Sequence, residues 1–210
     1  MDCRARLSNA PCIWWWIMSI AYFPTLIYEV ELDVDNVSLH KKSMELYNNR
    51  TTVNTNWFCD TFNTIGIYDI TKDPLFSEFV ETCMQHTRIF SKDYGISNAV
   101  IKSKEGWINV AMQNDYQEFH LHPNNHFSMV YYVSVPENSG NIIFRSPESN
   151  TDMFQLPFGN ETIATMKTAT IKAKTGKLII FRSNLLHMVE KNKSNSERVS
   201  ISMNVVLEDK

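Results

Sequence analysis

Eight short β-type segments behind two helical stretches predict an α+β fold: a double-stranded β-helix (jelly roll) core with N-terminal supporting helices. Three observations carry that prediction. Before Gly95 the apolar residues recur mainly at helical spacing. After it they alternate in short runs, broken by Gly140, Gly159 and Gly176 and by clusters of Asn and Ser. The chain has 210 residues, a length that fits one domain with an ordinary core.

The elements follow in order. Residues 20–32 alternate well enough for an early strand, with Tyr28, Val30 and Leu32 on one face and Ile27, Glu29 and Glu31 on the other. From 36 to about 49, Val37, Leu39, Met44, Leu46 and Tyr47 recur at helical spacing, and a polar loop follows through 54–63. Asp73-Pro74 is a strong helix start, an N-cap followed by proline at the first helical position. Leu75, Phe76, Phe79, Val80, Cys83, Met84 and Phe90 form the core-facing stripe of that helix, and Gly95 ends it. Strands are then expected at 107–112, 116–122, 127–135, 141–144, 168–173, 177–181, 187–190 and 198–206. The stretch 144–168, with Pro147, Pro157 and Gly159, is long for a jelly-roll connection and has the length of a lid.

Composition narrows the function classes. A net charge of -3 from scattered charges gives no electrostatic footprint for nucleic acid or a membrane surface. Cys3, Cys12, Cys59 and Cys83 form no C-x-x-C pair, which argues against a zinc cluster and a disulfide framework and for free thiols in a reducing cytoplasm. The N-x-S/T triplets at Asn36, Asn49, Asn160 and Asn192 are expected by chance in a chain rich in these residues. Residues 1–17 carry Arg4 and Arg6 and then Trp14, Trp15 and Trp16. We read them as an extension outside a domain of residues 18–210, with a signal peptide as the alternative. The apolar run stops at Pro24, short of the roughly 20 residues of a membrane helix.

The chemistry gathers in Glu118-Phe119-His120-Leu121-His122-Pro123. On a strand, Glu118, His120 and His122 share one face, so Phe119 and Leu121 should go to the core while the polar trio points into a cavity. Two imidazoles at i and i+2 are close enough to bind one metal ion side by side. Downstream, His187 follows a short turn after the buried-type strand Lys177-Leu178-Ile179-Ile180-Phe181. Arg198, Ser200 and Ser202 then alternate with Val199 and Ile201. An arginine within an apolar strand is costly unless it meets an anion, and its planar fork suits a carboxylate.

The series H-x-H … H … R-x-S resembles the 2-oxoglutarate/Fe(II)-dependent oxygenases, whose usual order is H-x-D/E … H … R/K-x-S/T. FHLHPNNHFSMVYYVSVPENSGNIIFRSP and TGKLIIFRSNLLHMVEKNKSNSERVSISMNV are more similar still to the oxygenases of this class found in cyanophages and marine bacteria. The resemblance covers about residues 100–206. It implies an Fe(II) centre on His120 and His187, with Arg198 clamping the far carboxylate of 2-oxoglutarate. Ser200 would support that clamp, and Tyr132 or Tyr131 would add a hydroxyl; Trp107, Tyr116 and Asn109 could line the mouth. O₂ would be the second co-substrate, and the location the cytoplasm, that of a host if the gene is a phage's. His122 stands where the family has a carboxylate. The expected ligands are therefore His120, His122 and His187, with Glu118 as a possible ligand or partner and Asp115 and His126 as weaker candidates. Two other readings stay open: a cupin-like three-histidine dioxygenase that does not use 2-oxoglutarate, and a non-enzymatic jelly-roll binding or virion module.

Overall fold

The computed structural model describes residues 23–51, 58, 60–148, 160, 162, 163 and 165–210. Its strands are β1 (Ile27–Glu31), β2 (Phe62–Asn63), β3 (Ala99–Ala111), β4 (Gln117–His120), β5 (Phe127–Ser134), β6 (Ile142–Arg145), β7 (Thr168–Ile171), β8 (Lys177–Arg182), β9 (His187–Val189) and β10 (Arg198–Asp209). They form a six-stranded sheet ordered β1-β8-β5-β10-β3-β2 and a four-stranded sheet ordered β4-β9-β6-β7, all pairs antiparallel. This is the α+β double-stranded β-helix expected from the strand count.

Helix α1 (Asn36–Asn48) starts at Asp35, whose Oδ1 accepts the backbone N–H groups of Val37 and Ser38, both at 3.1 Å. Asp73 caps as expected, but what it caps is a short 3-10 turn, Pro74–Phe76, which runs into α2 (Ser77–Lys92). The chain reverses after α2 at Gly95, whose φ of +70° is one that residues with a Cβ rarely adopt. Phe76, Phe79, Cys83, Met84 and Phe90 are buried against Phe127, Met129, Tyr131, Leu178 and Ile180 on the outer face of the large sheet. Leu75 departs from the expected stripe: it is 49% exposed, because the 3-10 turn rotates it away from the sheet. Burial raises the pKa of the free Cys83 thiol, whereas Cys3, Cys12 and Cys59 lie outside the described residues.

The second core lies between the sheets, where Val130, Tyr132, Ile179 and Phe181 meet Ile142, Phe144, Ala173 and Leu185. Two strand expectations need correction. β3 begins at Ala99, eight residues before 107: its first half carries Lys102, Lys104 and Glu105 and alternates half-buried with exposed positions, which hides it as a strand. Phe62–Asn63, expected as loop, pairs with Val110 and Asn109. Phe119 and Leu121 are also not core residues. They are 42% and 47% exposed, Phe119 on the edge strand of the small sheet and Leu121 just beyond its end, at the lining of the cavity. The expected extension 1–17 and residues 149–159, 161 and 164 of the expected lid fall outside the described residues. Among the described residues no helix is long and apolar enough to cross a membrane.

Candidate active site

β4 and β9 are paired so that His120 lies opposite His187. Leu121 then carries the chain beyond the sheet to His122, whose backbone N–H donates to Ser183 O at 3.0 Å and so holds the segment against the turn before β9. Local pairing thus brings together three histidines that the sequence separates by up to 67 positions. Each offers one ring nitrogen within 4.8 Å of the other two. His122 and His187 lie nearly parallel, 5.1 Å apart at 9°, and His120 is 4.2 Å from His187 by ring centroid.

The backbone selects which nitrogen faces inward. His120 Nδ1 lies 2.7 Å from Glu118 O, and His187 Nδ1 lies 2.8 Å from Leu185 O. A carbonyl only accepts, so each Nδ1 must carry the proton, and the lone pair falls on each Nε2. The Nε2 atoms of His122 and His187 are 3.3 Å apart. Two adjacent ligands of one ion, with bonds of about 2.1 Å, require nearly that separation. Burial lowers the pKa of all three imidazoles: that of His122 to about 4, and that of His187 well below the ordinary value, where the two neighbouring rings add to the effect of burial. The cluster is therefore neutral at pH 7, the state that binds metal. Trp107 stacks on His122 at 5.6 Å, and Phe181 packs its ring against His187 at 4.7 Å.

These shifts have a pH consequence. Above pH 6.5 the histidines are neutral in both folded and unfolded chains. As pH falls from 6.5 toward 4, the unfolded chain takes up protons that the folded one refuses, so the metal-free fold loses stability across that window. Thermal unfolding between pH 7.5 and 4.5 should show a falling midpoint in metal-free protein. Replacing His122 with a non-titrating residue should flatten the fall.

The cavity, about 310 Å³ with the histidines on its wall, is lined elsewhere mainly by the inner faces of β3, β5 and β10. β10 is paired on both sides, with β3 and with β5. Arg198, Ser200, Ser202 and Asn204 line the cavity, while Val199, Ile201, Met203 and Val205 pack in the helix-side core. The Arg198 side chain is buried, and its Nη1 donates to the carbonyls of Ser139 and Glu190. Gly140 gives it room: a Cβ there would come within 2.5 Å of Glu190 O and 3.0 Å of Arg198 Nη1.

Tyr132 pairs in register with Ser200, and its hydroxyl is buried with no hydrogen-bond partner among the described residues. Burial pushes that hydroxyl up to about pKa 12 despite the opposing pull of Arg198, so it is a neutral donor without an acceptor. Such a group costs about 1–3 kcal/mol until a ligand oxygen meets it. A buried arginine, a serine and an orphaned tyrosine hydroxyl make a donor set that fits a carboxylate.

The two candidate tyrosines therefore separate. Tyr131, one residue along, faces the helices, and its hydroxyl donates to Asn36 Oδ1 at 2.8 Å. Glu118 is likewise outside the histidine cluster, because its Oε1 accepts the backbone N–H of Phe58 at 2.8 Å. Asp115 accepts from Met112 N, and His126 accepts from Leu207 N. Trp107 and Asn109 line the cavity, but Tyr116 does not. Sequence reasoning missed Glu105, Gln117 and Asn204 as lining residues. Extending the alternation of β10 and β3 by one step would have found Asn204 and Glu105.

A jelly roll with a three-histidine cluster on its small sheet and a buried arginine on the facing large sheet has the layout expected of a 2-oxoglutarate/Fe(II)-dependent oxygenase, with His122 in the place of the usual carboxylate. Residues 105–204 match the model of the family described as "Putative 2OG-Fe(II) oxygenase". The chain is similar in fold to a prolyl-4-hydroxylase from Pseudomonas putida, at 11% identity and a TM-score of 0.60, over 87% of this chain and 92% of that one. It is also similar to HygX from Streptomyces hygroscopicus, solved with nickel and 2-oxoglutarate, at 11% identity and a TM-score of 0.56, over 87% of this chain and 83% of that one. An oxidoreductase of the 2OG-Fe(II) oxygenase family from Burkholderia pseudomallei matches at 17% identity and a TM-score of 0.44, over 68% of this chain but only 57% of the length of that one. No curated protein sequence matches the chain.

Proposed function

We infer that the chain hydroxylates an unactivated C–H bond of a substrate still to be identified, with Fe(II) on His120, His122 and His187. The far carboxylate of 2-oxoglutarate would be taken by Arg198, Ser200 and Tyr132. The observation that carries this reading is the orphaned Tyr132 hydroxyl beside buried Arg198, in the same cavity as three neutral imidazoles. Bound together, Fe(II) and 2-oxoglutarate supply the O₂ chemistry that couples decarboxylation of the co-substrate to oxidation of the substrate.

The chain's own residues do the rest. Glu118 O and Leu185 O hold the tautomers of His120 and His187, so that both lone pairs point inward. Phe144, Phe181 and Trp107 pack around the rings and keep water from their outer faces. Arg198 fixes one end of the co-substrate, and with it the direction in which the other end meets the metal. Residues 18–210 would form this one domain, in the cytoplasm, with 1–17 outside it.

Because the third histidine replaces a carboxylate, a three-histidine dioxygenase without 2-oxoglutarate is the second reading. One experiment separates the two. Anaerobic Fe(II) and 2-oxoglutarate should give a weak visible charge-transfer band, and O₂ uptake should require 2-oxoglutarate and release succinate. O₂ uptake that ignores 2-oxoglutarate would favour the second reading and defeat the first.

A further inference from the structure

Away from Arg198 the cavity lining changes from donors to acceptors. β10 runs six residues from Arg198 to Asn204, about 20 Å along the strand, and Asn204 pairs with Glu105 of β3. Glu105 is the only carboxylate among the described residues that line the cavity. Its Oε1 accepts from Asn204 Nδ2 at 3.0 Å, and Asn204 Oδ1 accepts from Ser128 Oγ at 2.8 Å. Ser128 Oγ in turn lies 2.8 Å from Ser183 Oγ. Asn204, Ser128 and Ser183 are all buried, so the carboxylate is mounted on a fixed polar chain.

Among the described residues Glu105 has no ion-pair partner. Lys104, its neighbour, alternates to the other face of β3, where its Nζ reaches Asn124 O at 3.4 Å. That contact lays the Asn124–Asn125 turn beside this stretch of β3. Asn125 supplies a second acceptor: it lines the cavity, its Nδ2 donates to Pro123 O, and its Oδ1 is buried without a partner among the described residues. Trp107, two residues or about 7 Å along β3 from Glu105, stacks on His122 and links this end to the histidines.

We propose that Glu105 and Asn125 form the substrate-recognition end of the cavity and take a cationic nitrogen, an ammonium or a guanidinium. The carbon presented to the metal then lies a few bonds from that cation. A carboxylate kept only to hold Asn204 would use one acceptor oxygen, and glutamine would serve equally well. A carboxylate that recognises a cation needs its charge. What the metal does to the bound molecule rests on the oxygenase reading, whereas capture of the cation does not.

The test is calorimetric titration of the full chain, with and without Ni(II) and 2-oxoglutarate. The probes are agmatine, N-acetyl-lysine amide and acetyl-Gly-Arg-Gly-amide, each against an uncharged isostere. Cationic probes should bind at least about tenfold more tightly than their isosteres. Glu105→Gln should abolish that preference without changing the dissociation constant of 2-oxoglutarate, and Glu105→Lys should turn it toward carboxylate probes. The better-bound arm, free amine or peptide, identifies the source of the cation. Equal binding of charged and neutral probes, no binding of any cationic probe, or a preference that survives Glu105→Gln would each overturn the proposal. Glu105-dependent capture of a cation by protein that fails to bind 2-oxoglutarate would uphold it and defeat the oxygenase reading instead.

Discussion

A His187→Ala chain should lose Fe(II) or Ni(II) affinity by well over about 100-fold, the upper range for losing only a group that supports a ligand. His187 is the member of the cluster held on most sides: Leu185 O fixes its Nδ1, Phe181 and Phe144 enclose its ring, and its Nε2 faces that of His122. Without it the two remaining nitrogens cannot form a three-point face. The substitution also empties a packed space, at about 1–3 kcal/mol of stability. Thermal unfolding separates the two effects. Wild-type protein at a metal concentration of about 100 times its Kd should gain about 2.7 kcal/mol, and the variant should gain almost nothing on the same addition. A variant that keeps the full metal-dependent rise in Tm would remove His187 from the centre.

Arg198→Ala should weaken 2-oxoglutarate binding by about 30-fold to several thousandfold, the cost of about 2–5 kcal/mol for truncating one partner of a buried charge pair. Metal affinity should hardly change, because Arg198 is not among the clustered nitrogens. Stability should fall as well, since the carbonyls of Ser139 and Glu190 lose a donor in a buried place, at about 1–3 kcal/mol each. Arg198→Lys keeps the charge but not the fork, and should recover only part of the binding. Gly140→Ala offers a check that leaves the arginine in the chain. Its φ of +88° and the 3.0 Å approach of a Cβ to Arg198 Nη1 should displace the guanidinium and weaken 2-oxoglutarate in the same direction. Isothermal titration of 2-oxoglutarate into Ni(II)-loaded protein reads both variants, and an unchanged Kd in Arg198→Ala would end the clamp assignment.

Much of this was legible in the chain because strand alternation is a strict period of two. It put His120 and His122 toward one cavity, and Arg198, Ser200 and Ser202 toward the same space. What alternation cannot tell is which face of an edge strand is covered. Phe119 and Leu121 read as core, yet both are largely exposed, and Leu121 lies past the end of β4 at the cavity lining. It also could not choose between Tyr131 and Tyr132, since both are apolar enough for either face; the pairing of Ser200 with Tyr132 decides that. Glu105 was hidden because the first half of β3 looks like a charged surface segment. Its inward direction follows once β3 is known to begin before Trp107, from the alternation of Asn109, Trp107 and Glu105 and from the register with Asn204.

The double role of β10 bears on how this chain can change by descent. Its even-numbered positions from Arg198 to Asn204 hold ligand-facing groups, and its odd-numbered ones, from Val199 to Val205, hold the core. Point substitutions can alter one set and spare the other. A single inserted or deleted codon near Ser200 exchanges the two sets downstream: Ile201 and Met203 would enter the cavity, and Ser202 and Asn204 the core. Relatives that keep a working centre should therefore carry their length differences in the connections between strands, and in this strand none.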